Sequence, residues 1–284
     1  MENPTTSQID LPAGRQDLRQ SEPYKRYIEN IGWRVETIDN INVFIRLLGI
    51  FGAIAKIQRV DLPLPWDKIN KVLKQNKVWM VKLEPRTYNL VLPRFHQDNW
   101  PMLATKTLKI DLTPSLQIIK ARFKKDARYS LRKVQGSNLP AGRQGFKVQK
   151  NNFGEFYELW KKASKIKHLW IPPKKHFDSL IKCFENNCFC ITINNLAGAV
   201  VLIHEKIAYY YYAAALPEAK RLHLPYTVVW ELIKEAKKRG CKIWDWEGIY
   251  DARWPNKGWQ GFTHFKKSFG GYELSFPGSF TRWF

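Results

Sequence analysis

Acidic residues are in short supply in this 284-residue chain: 25 Asp and Glu stand against 47 Lys and Arg, a formal charge of +22. A deficit of that size disfavours basic partners and favours polyanions such as nucleic acid, nucleotide-linked substrates or anionic membrane. Cysteine is scarce too. Three of the four, Cys183, Cys188 and Cys190, fall in "CFENNCFC", and the fourth is Cys241. This spacing lacks the paired two-residue gaps of common zinc sites, so buried free thiols are expected and no metal site is predicted. Long apolar runs are missing. The longest, "INVFIRLLGIFGAIAKI", is broken by Arg46 and too short to span a bilayer; it reads as a core strand with its turn, or as a segment touching a membrane surface. The opening "MENPTTSQID" has no apolar signal core, so a reducing, cytoplasmic setting is expected. A Gly-rich nucleotide loop, an HExxH pair and a nucleophile elbow are all absent, and the histidines are scattered without ligand spacing.

What the chain does have is core material. Hydrophobic residues make up 44% of it, enough to exclude disorder and to fill one large domain or two of ordinary size. The hexapeptide "LPAGRQ" occurs at residues 11–16 and again at 139–144, in unlike contexts, so both copies read as loop insertions. In the first half, "YKRYIENIG" and "WDKINKVLKQNK" have helical spacing, while "WRVETI", "NVFIRLL", "KVWMVKLEP" and "KTLKIDLT" read as strands. "TPSLQIIKARFKKDARYSLRKV" predicts one long helix capped by Thr113, with Pro114 in its first turn. In the second half "FKVQK" predicts a strand, and "FGEFYELWKKASKI" and "PPKKHFDSLIKCFEN" predict helices. "CFCITINN", "LAGAVVLIHE" and "KIAYYYYAAAL" predict an antiparallel meander, followed by the helix "PYTVVWELIKEAKKRG" and the strand "KIWDWEGI". The expected fold is α/β (α+β) with mixed sheets, in two units spanning residues 20–115 and 116–284, with residues 1–19 flexible and the final residues packing back on the first unit.

Three constellations carry candidate chemistry. The helix over 115–134 sets Leu116, Ile119, Phe123, Ala127 and Leu131 on one face and Lys125, Arg128 and Arg132 on the other, with Lys124 and Lys133 flanking. That basic face reads either as a phosphate site or as a solvated surface. In "KIWDWEGI" the strand period puts Asp245 and Glu247 opposite Trp244 and Trp246. Such a carboxylate pair serves an amine substrate or pairs with nearby basic residues. Last, "YDARWPNKGWQGFTHFKKSFGG" reads as a long loop leading into an aromatic strand, with Gly258, Gly261, Gly270 and Gly271 allowing close approach of a ligand. A lysine there can steady an oxyanion or a phosphate, although locally a structural role fits as well.

The chain resembles the Fem-type aminoacyltransferases of peptidoglycan bridge formation. The resemblance rests on "RQSEPYKRYIENIGWRVE", "LKIDLTPSLQIIKARFKKDARYSLRKV", "YYYYAAALPEAKRLHLPYTVVWELIKEAKKRGCKIWDWEGI" and "GFTHFKKSFGG", and it runs over about residues 20–271. It implies two tandem GNAT-like (N-acetyltransferase-like) domains. It also implies transfer of an amino acid from aminoacyl-tRNA to an amine on the stem peptide of a UDP-linked or lipid-linked muramyl precursor, a step in cell-wall biogenesis that bears on cell shape. No cofactor is implied beyond the tRNA donor. Lys266 would be the catalytic lysine, with Asp245 the candidate base. Phe265, Lys267, Lys167, Trp170, Arg221 and Tyr226 would contact substrate, and Lys125, Arg128, Arg132 and Lys133 would meet tRNA phosphates. The family's basic-acidic-Gly-aromatic run is "KHLW" here, and no long helical-hairpin insert is evident. Two rivals remain. An acyl-CoA N-acyltransferase needs a Gly-rich amide turn where this chain has "RLHLPY", and a non-catalytic RNA-binding protein would show stacking aromatics in a known motif.

Overall fold

Alternating apolar residues punctuated by Gly, Asn and Pro produce two mixed sheets with the same internal logic. The computed structural model describes residues 16–88, 92, 94–136 and 146–284. Helix α1 (Glu22–Asn30) is followed by strands β1 (Arg34–Ile38), β2 (Ile41–Leu47) and β3 (Ala53–Val60), helix α2 (Trp66–Gln75), β4 (Val78–Pro85) and the short β5 (His96–Gln97). Asp39 and Asn40 both take positive φ, 47° and 66°, which gives the tight β1–β2 turn the twist a hairpin requires. The first sheet runs β1-β2-β3-β4-β13-β5 and is antiparallel except for β3–β4, which α2 connects in parallel.

The second unit begins with β6 (Lys106–Asp111), α3 (Leu116–Ala121) and α4 (Lys125–Gly136), then β7 (Val148–Lys150), α5 (Phe153–Ile166) and α6 (Lys174–Phe184). The meander β8 (Cys188–Ile193), β9 (Ala197–His204) and β10 (Ile207–Ala215) leads through α7 (Pro217–Arg221) and α8 (Leu224–Lys238) to β11 (Ile243–Asp245). Helix α9 (Gln260–Lys267) and strands β12 (Tyr272–Ser275) and β13 (Phe280–Trp283) close the chain. The second sheet runs β12-β6-β11-β10-β9-β8-β7, again with one parallel pair, β10–β11, joined through α7 and α8. Meander, helix and parallel strand recur in both units, which gives a mixed α/β fold of two like-built halves.

The units are interlocked rather than strung in order. Strand β6 precedes residue 115 yet pairs in the second sheet, and β13, from the far end of the chain, pairs with β4 in the first. Helix α1 crosses the other way: Tyr24, Tyr27 and Ile28 join the core formed by α5, α6 and one face of the second sheet. The opposite face of that sheet packs on α3, α4 and α8, with Trp244 and Trp246 fully buried at its centre. All four cysteines are buried and free.

Three local expectations are corrected. The long helix over 115–134 is two helices, because the chain opens between Ala121 and Lys125 to receive the C-terminal segment: Lys124 N donates to Ser268 O at 2.7 Å. Ser115 rather than Thr113 is the cap, accepting from Ile118 N, while the Thr113 hydroxyl turns back to Asp111. The glycines of "FGG" also serve a different purpose from the one expected. A Cβ on Gly270 would lie 2.8 Å from Arg122 O, and one on Gly271 2.2 Å from Lys109 O, so both admit protein backbone rather than a ligand. Gly271 has φ +102°, and Gly271→Ala combines that strain with the clash against β6. The variant is expected to lose about 2 kcal/mol or more of stability, read as a lower denaturation midpoint. An unchanged midpoint would show that β12 can shift to make room.

Candidate active site

The site lies where the second sheet splits. Parallel pairing of β10 with β11 covers only Ile207–Tyr209 against Ile243–Asp245. Beyond it, β10 continues through Tyr210–Tyr212 with a register shift, while the chain after β11 turns away at Glu247 (φ 58°) and Gly248 (φ 145°). The expected strand "KIWDWEGI" therefore stops at Asp245, because positive φ at two successive residues cannot continue a ladder. Trp246 still packs inward, its ring 5.0 Å from that of Tyr210.

Lys266 enters this opening from α9. The segment expected to be a loop is a helix, and Phe262, Phe265 and Phe269 recur at the spacing of three and four that marks one helical face. The Lys266 ammonium donates to Trp246 O at 2.8 Å and to Gly248 O at 2.5 Å, and stands 4.8 Å from the Phe262 ring centroid. An ammonium has three N–H donors. Among the described residues no acceptor takes the third. Burial lowers its pKa from the ordinary lysine value to about 8, against the opposing pull of Glu247 and Asp245. The result is a cation held by main-chain carbonyls, with a proton to spare, at the mouth of a split sheet.

Glu247, between the two carbonyls that hold Lys266, is itself fixed from the other end of the chain. Arg19 grips it with both terminal nitrogens, Nη2 to Oε2 at 2.5 Å and Nη1 to Oε1 at 3.4 Å, and also pairs with Asp17 at 3.3 Å. The neighbouring Gln20 is buried as well, accepting from Asn42 N at 2.7 Å and donating to Gln58 O at 2.6 Å. Sequence reading singled out Arg19-Gln20-Ser21 only as part of a family likeness. The physical signal was a run of polar residues directly before an apolar helix, and all three are buried.

The other candidates divide into groups. Phe265 and Tyr226 join the lysine's surroundings: their rings are 4.9 Å apart, and Phe265 lies 6.1 Å from Trp246. Asp245 is beneath them, buried, with Oδ1 accepting from Thr107 Oγ1 at 2.6 Å and Glu247 N at 2.9 Å, and Oδ2 lying 3.4 Å from Lys109 Nζ. Three donors around one carboxylate suit an anchor for the turn better than a mobile proton acceptor. Lys267 turns out of the site and pairs with Glu273 at 2.5 Å. Lys167 and Trp170 follow α5, and Arg221 ends α7; partial burial and the nearby Lys220 charge lower the Lys167 pKa. Among the described residues no hydrogen bond, ion pair or ring contact joins these three to the Lys266 cluster. Lys125, Arg128, Arg132 and Lys133 form an exposed basic face on α4. Asp126, on the same helix, approaches His264 of α9 at 3.8 Å, which brings this face beside the helix that carries Lys266.

A pocket of about 390 Å³ opens between segments 99–105 and 249–259, walled by Trp100, Trp254 and Trp259. Trp259 packs on Phe262 at 5.1 Å, so one wall of the pocket continues into the Lys266 surroundings. Among the described residues, no group of His, Cys, Asp and Glu is arranged to hold a metal ion.

Comparison with known proteins narrows the reading. Residues 191–283, the stretch that includes β10, β11 and Lys266, match the model of the FemAB family. The match covers about a third of the chain. The crystal structure of FemX superposes with a TM-score of 0.79 at 13% identity, covering 95% of this chain and 93% of that one. A putative lysylphosphatidylglycerol synthetase C-terminal domain from Agrobacterium fabrum superposes at 0.55 and 11% identity, covering 93% and 89%. L-PGS from Bacillus licheniformis does so at 0.55 and 8% identity, covering 90% and 86%. At these identities the structures show the fold alone. The similarity of fold to FemX thus extends over both units. No curated protein matches the sequence.

Proposed function

We propose that this protein is a peptidoglycan-bridge aminoacyltransferase: it moves an amino acid from aminoacyl-tRNA to an amine on the stem peptide of a muramyl precursor. The observation that carries the reading is the Lys266 ammonium, held by two carbonyls within the FemAB-matching segment with a third proton undirected. The acceptor nitrogen attacks the ester carbonyl carbon of the charged tRNA, and the new C–N bond replaces the C–O bond to the terminal ribose. The amine gives up one proton and the departing ribose oxygen gains one. Lys266 donates to the oxyanion that develops between these events, the point at which a fixed donor stabilises most.

Several further features support this reading. The α4 face beside α9 supplies the cations a tRNA acceptor arm requires, and the chain's +22 charge speeds the encounter. The pocket beyond Phe262 leaves room for a stem peptide. Phe265 and Tyr226 line the approach, Lys167, Trp170 and Arg221 meet more distant parts of the substrates, and Lys267 acts through its pair with Glu273. Asp245 holds the turn. Aminoacyl-tRNA is the donor, no cofactor takes part, and the setting is cytoplasmic. An acyl-CoA donor fits poorly: Pro225 in the first turn of α8 has no N–H, and Tyr226 N is already bonded to His223 O at 3.2 Å.

The test is transfer itself. Full-length protein is mixed with UDP-linked muramyl pentapeptide and a pool of charged tRNA, with acetyl-CoA as the parallel donor. A mass gain of one amino-acid residue, abolished by ribonuclease, is expected, and its size names the amino acid. An acetyl-sized gain from CoA alone would overturn the donor assignment. If the nucleotide-linked acceptor is inert, the lipid-linked one is tried, and inertness of both would overturn the enzyme reading.

A further inference from the structure

Several exposed apolar side chains of the first unit are gathered at one edge, away from the pocket that Trp100 lines. Ile50 and Phe51, 94% and 74% exposed, form the tip between β2 and β3. Trp79 on β4 donates its indole N–H to Phe51 O at 2.9 Å, and Trp283 stacks on Trp79 with ring centroids 5.4 Å apart. Phe284 N donates to Trp79 O at 2.9 Å, and Trp283 and Phe284 are 61% and 60% exposed. Three separate segments therefore present their largest apolar residues together, where burial elsewhere in the molecule would have been more favourable.

The side-chain charge around this edge is of one sign. No acidic residue occurs between Asp39 and Asp61, between Asp67 and Glu84, or after Glu273, the three stretches that build it. Exposed Lys71 and Lys74 lie on α2, and exposed Lys77 stands beside the tip, its carbonyl accepting from Ala53 N at 3.1 Å. Aromatic side chains with an apolar body and a polar N–H, rimmed by lysines, match the boundary between acyl chains and anionic headgroups. A second copy of the chain is a poor occupant, because two molecules of charge +22 repel one another. Among the described residues no helix is long and apolar enough to cross a membrane, so this edge would rest on a bilayer rather than anchor within it.

We propose that Ile50, Phe51, Trp79, Trp283 and Phe284, with Lys71, Lys74 and Lys77, form a docking edge for an anionic membrane surface. The proposal stands apart from the transfer reaction. Full-length protein is floated with vesicles of phosphatidylglycerol and phosphatidylcholine in equal parts, and with phosphatidylcholine alone. Binding to the anionic vesicles, weakened by salt, is expected. The double variant Ile50→Ser/Phe51→Ser is expected to bind about tenfold more weakly, with an unchanged melting temperature because both side chains are exposed. Trp283→Ser gives a second, independent variant with the same expected direction, and brominated lipid should quench less fluorescence in it than in the parent. Absence of vesicle binding would overturn the proposal. So would equal binding of parent and double variant, which would place the attraction on the chain's general charge. A self-associated species that the double variant dissociates would assign the edge to a second copy instead.

Discussion

Lys266→Gln is expected to lower kcat/KM by about 10²–10³-fold, the usual cost of losing one oxyanion donor, while the protein remains folded. The pH profile makes the test specific. In the proposed mechanism the ammonium acts while charged, and burial has brought its pKa down to about 8. Parent activity should therefore decline as pH rises through about 8, and the residual activity of the variant should lack that limb. The same alkaline decline in Lys266→Gln would reject the assignment. Stability moves in the opposite sense. A lysine whose folded pKa lies below its unfolded value binds its proton more readily when unfolded, so its burial penalty is present in full below the folded pKa and fades as pH climbs toward the unfolded one. Relative to Lys266→Gln, the parent should thus gain stability between about pH 8 and the ordinary lysine value of 10.5. Activity falling while relative stability rises is a pairing that a purely structural lysine does not produce.

The second large effect is expected at Arg19. Its guanidinium joins the start of the chain to Glu247, and both side chains are largely buried, at 8% and 15% exposure. Arg19→Met leaves the Glu247 carboxylate buried without its main partner, and breaking such a pair costs about 3–5 kcal/mol. The denaturation midpoint in urea should fall accordingly. Arg19→Met/Glu247→Gln should recover much of the loss, since the stranded charge is then gone. Catalysis supplies the second readout. Glu247 lies between the carbonyls of Trp246 and Gly248 that hold Lys266, so loosening it should displace the alkaline limb of the pH profile. A midpoint within about 0.5 kcal/mol of the parent, the range of an ordinary surface substitution, would mean that the pair contributes little.

Much of the fold was legible because short-range periodicity reports burial directly. The short apolar runs "CFCITINN" and "LAGAVVLIHE" became β8 and β9, buried on both faces, and the apolar stripe through Ile119, Phe123, Ala127 and Leu131 is buried as drawn. Trp244 and Trp246 share the interior face that the period of two assigns them, yet Asp245 is buried as well, because Thr107 and Lys109 from β6 reach it. The break between α3 and α4 was not legible. Every residue there suits a helix, and only the arrival of Ser268 and Gly270 opens it. Helix α9 was legible in the spacing of Phe262, Phe265 and Phe269, but flanking glycines and a proline argued for a loop.

The sequence by itself determined the large positive charge, the two mixed-sheet units and the lysine within an aromatic segment, since each depends on composition or on neighbours a few positions apart. Tertiary structure decided what that lysine touches. Arg19 and Glu247 are 228 residues apart, β13 leaves the unit that precedes it in the chain, and Tyr24 joins the core around α5 and α6. No local pattern encodes such pairings. Buried polar groups must find partners wherever the packed chain supplies them, and here the partners come from opposite ends of the molecule.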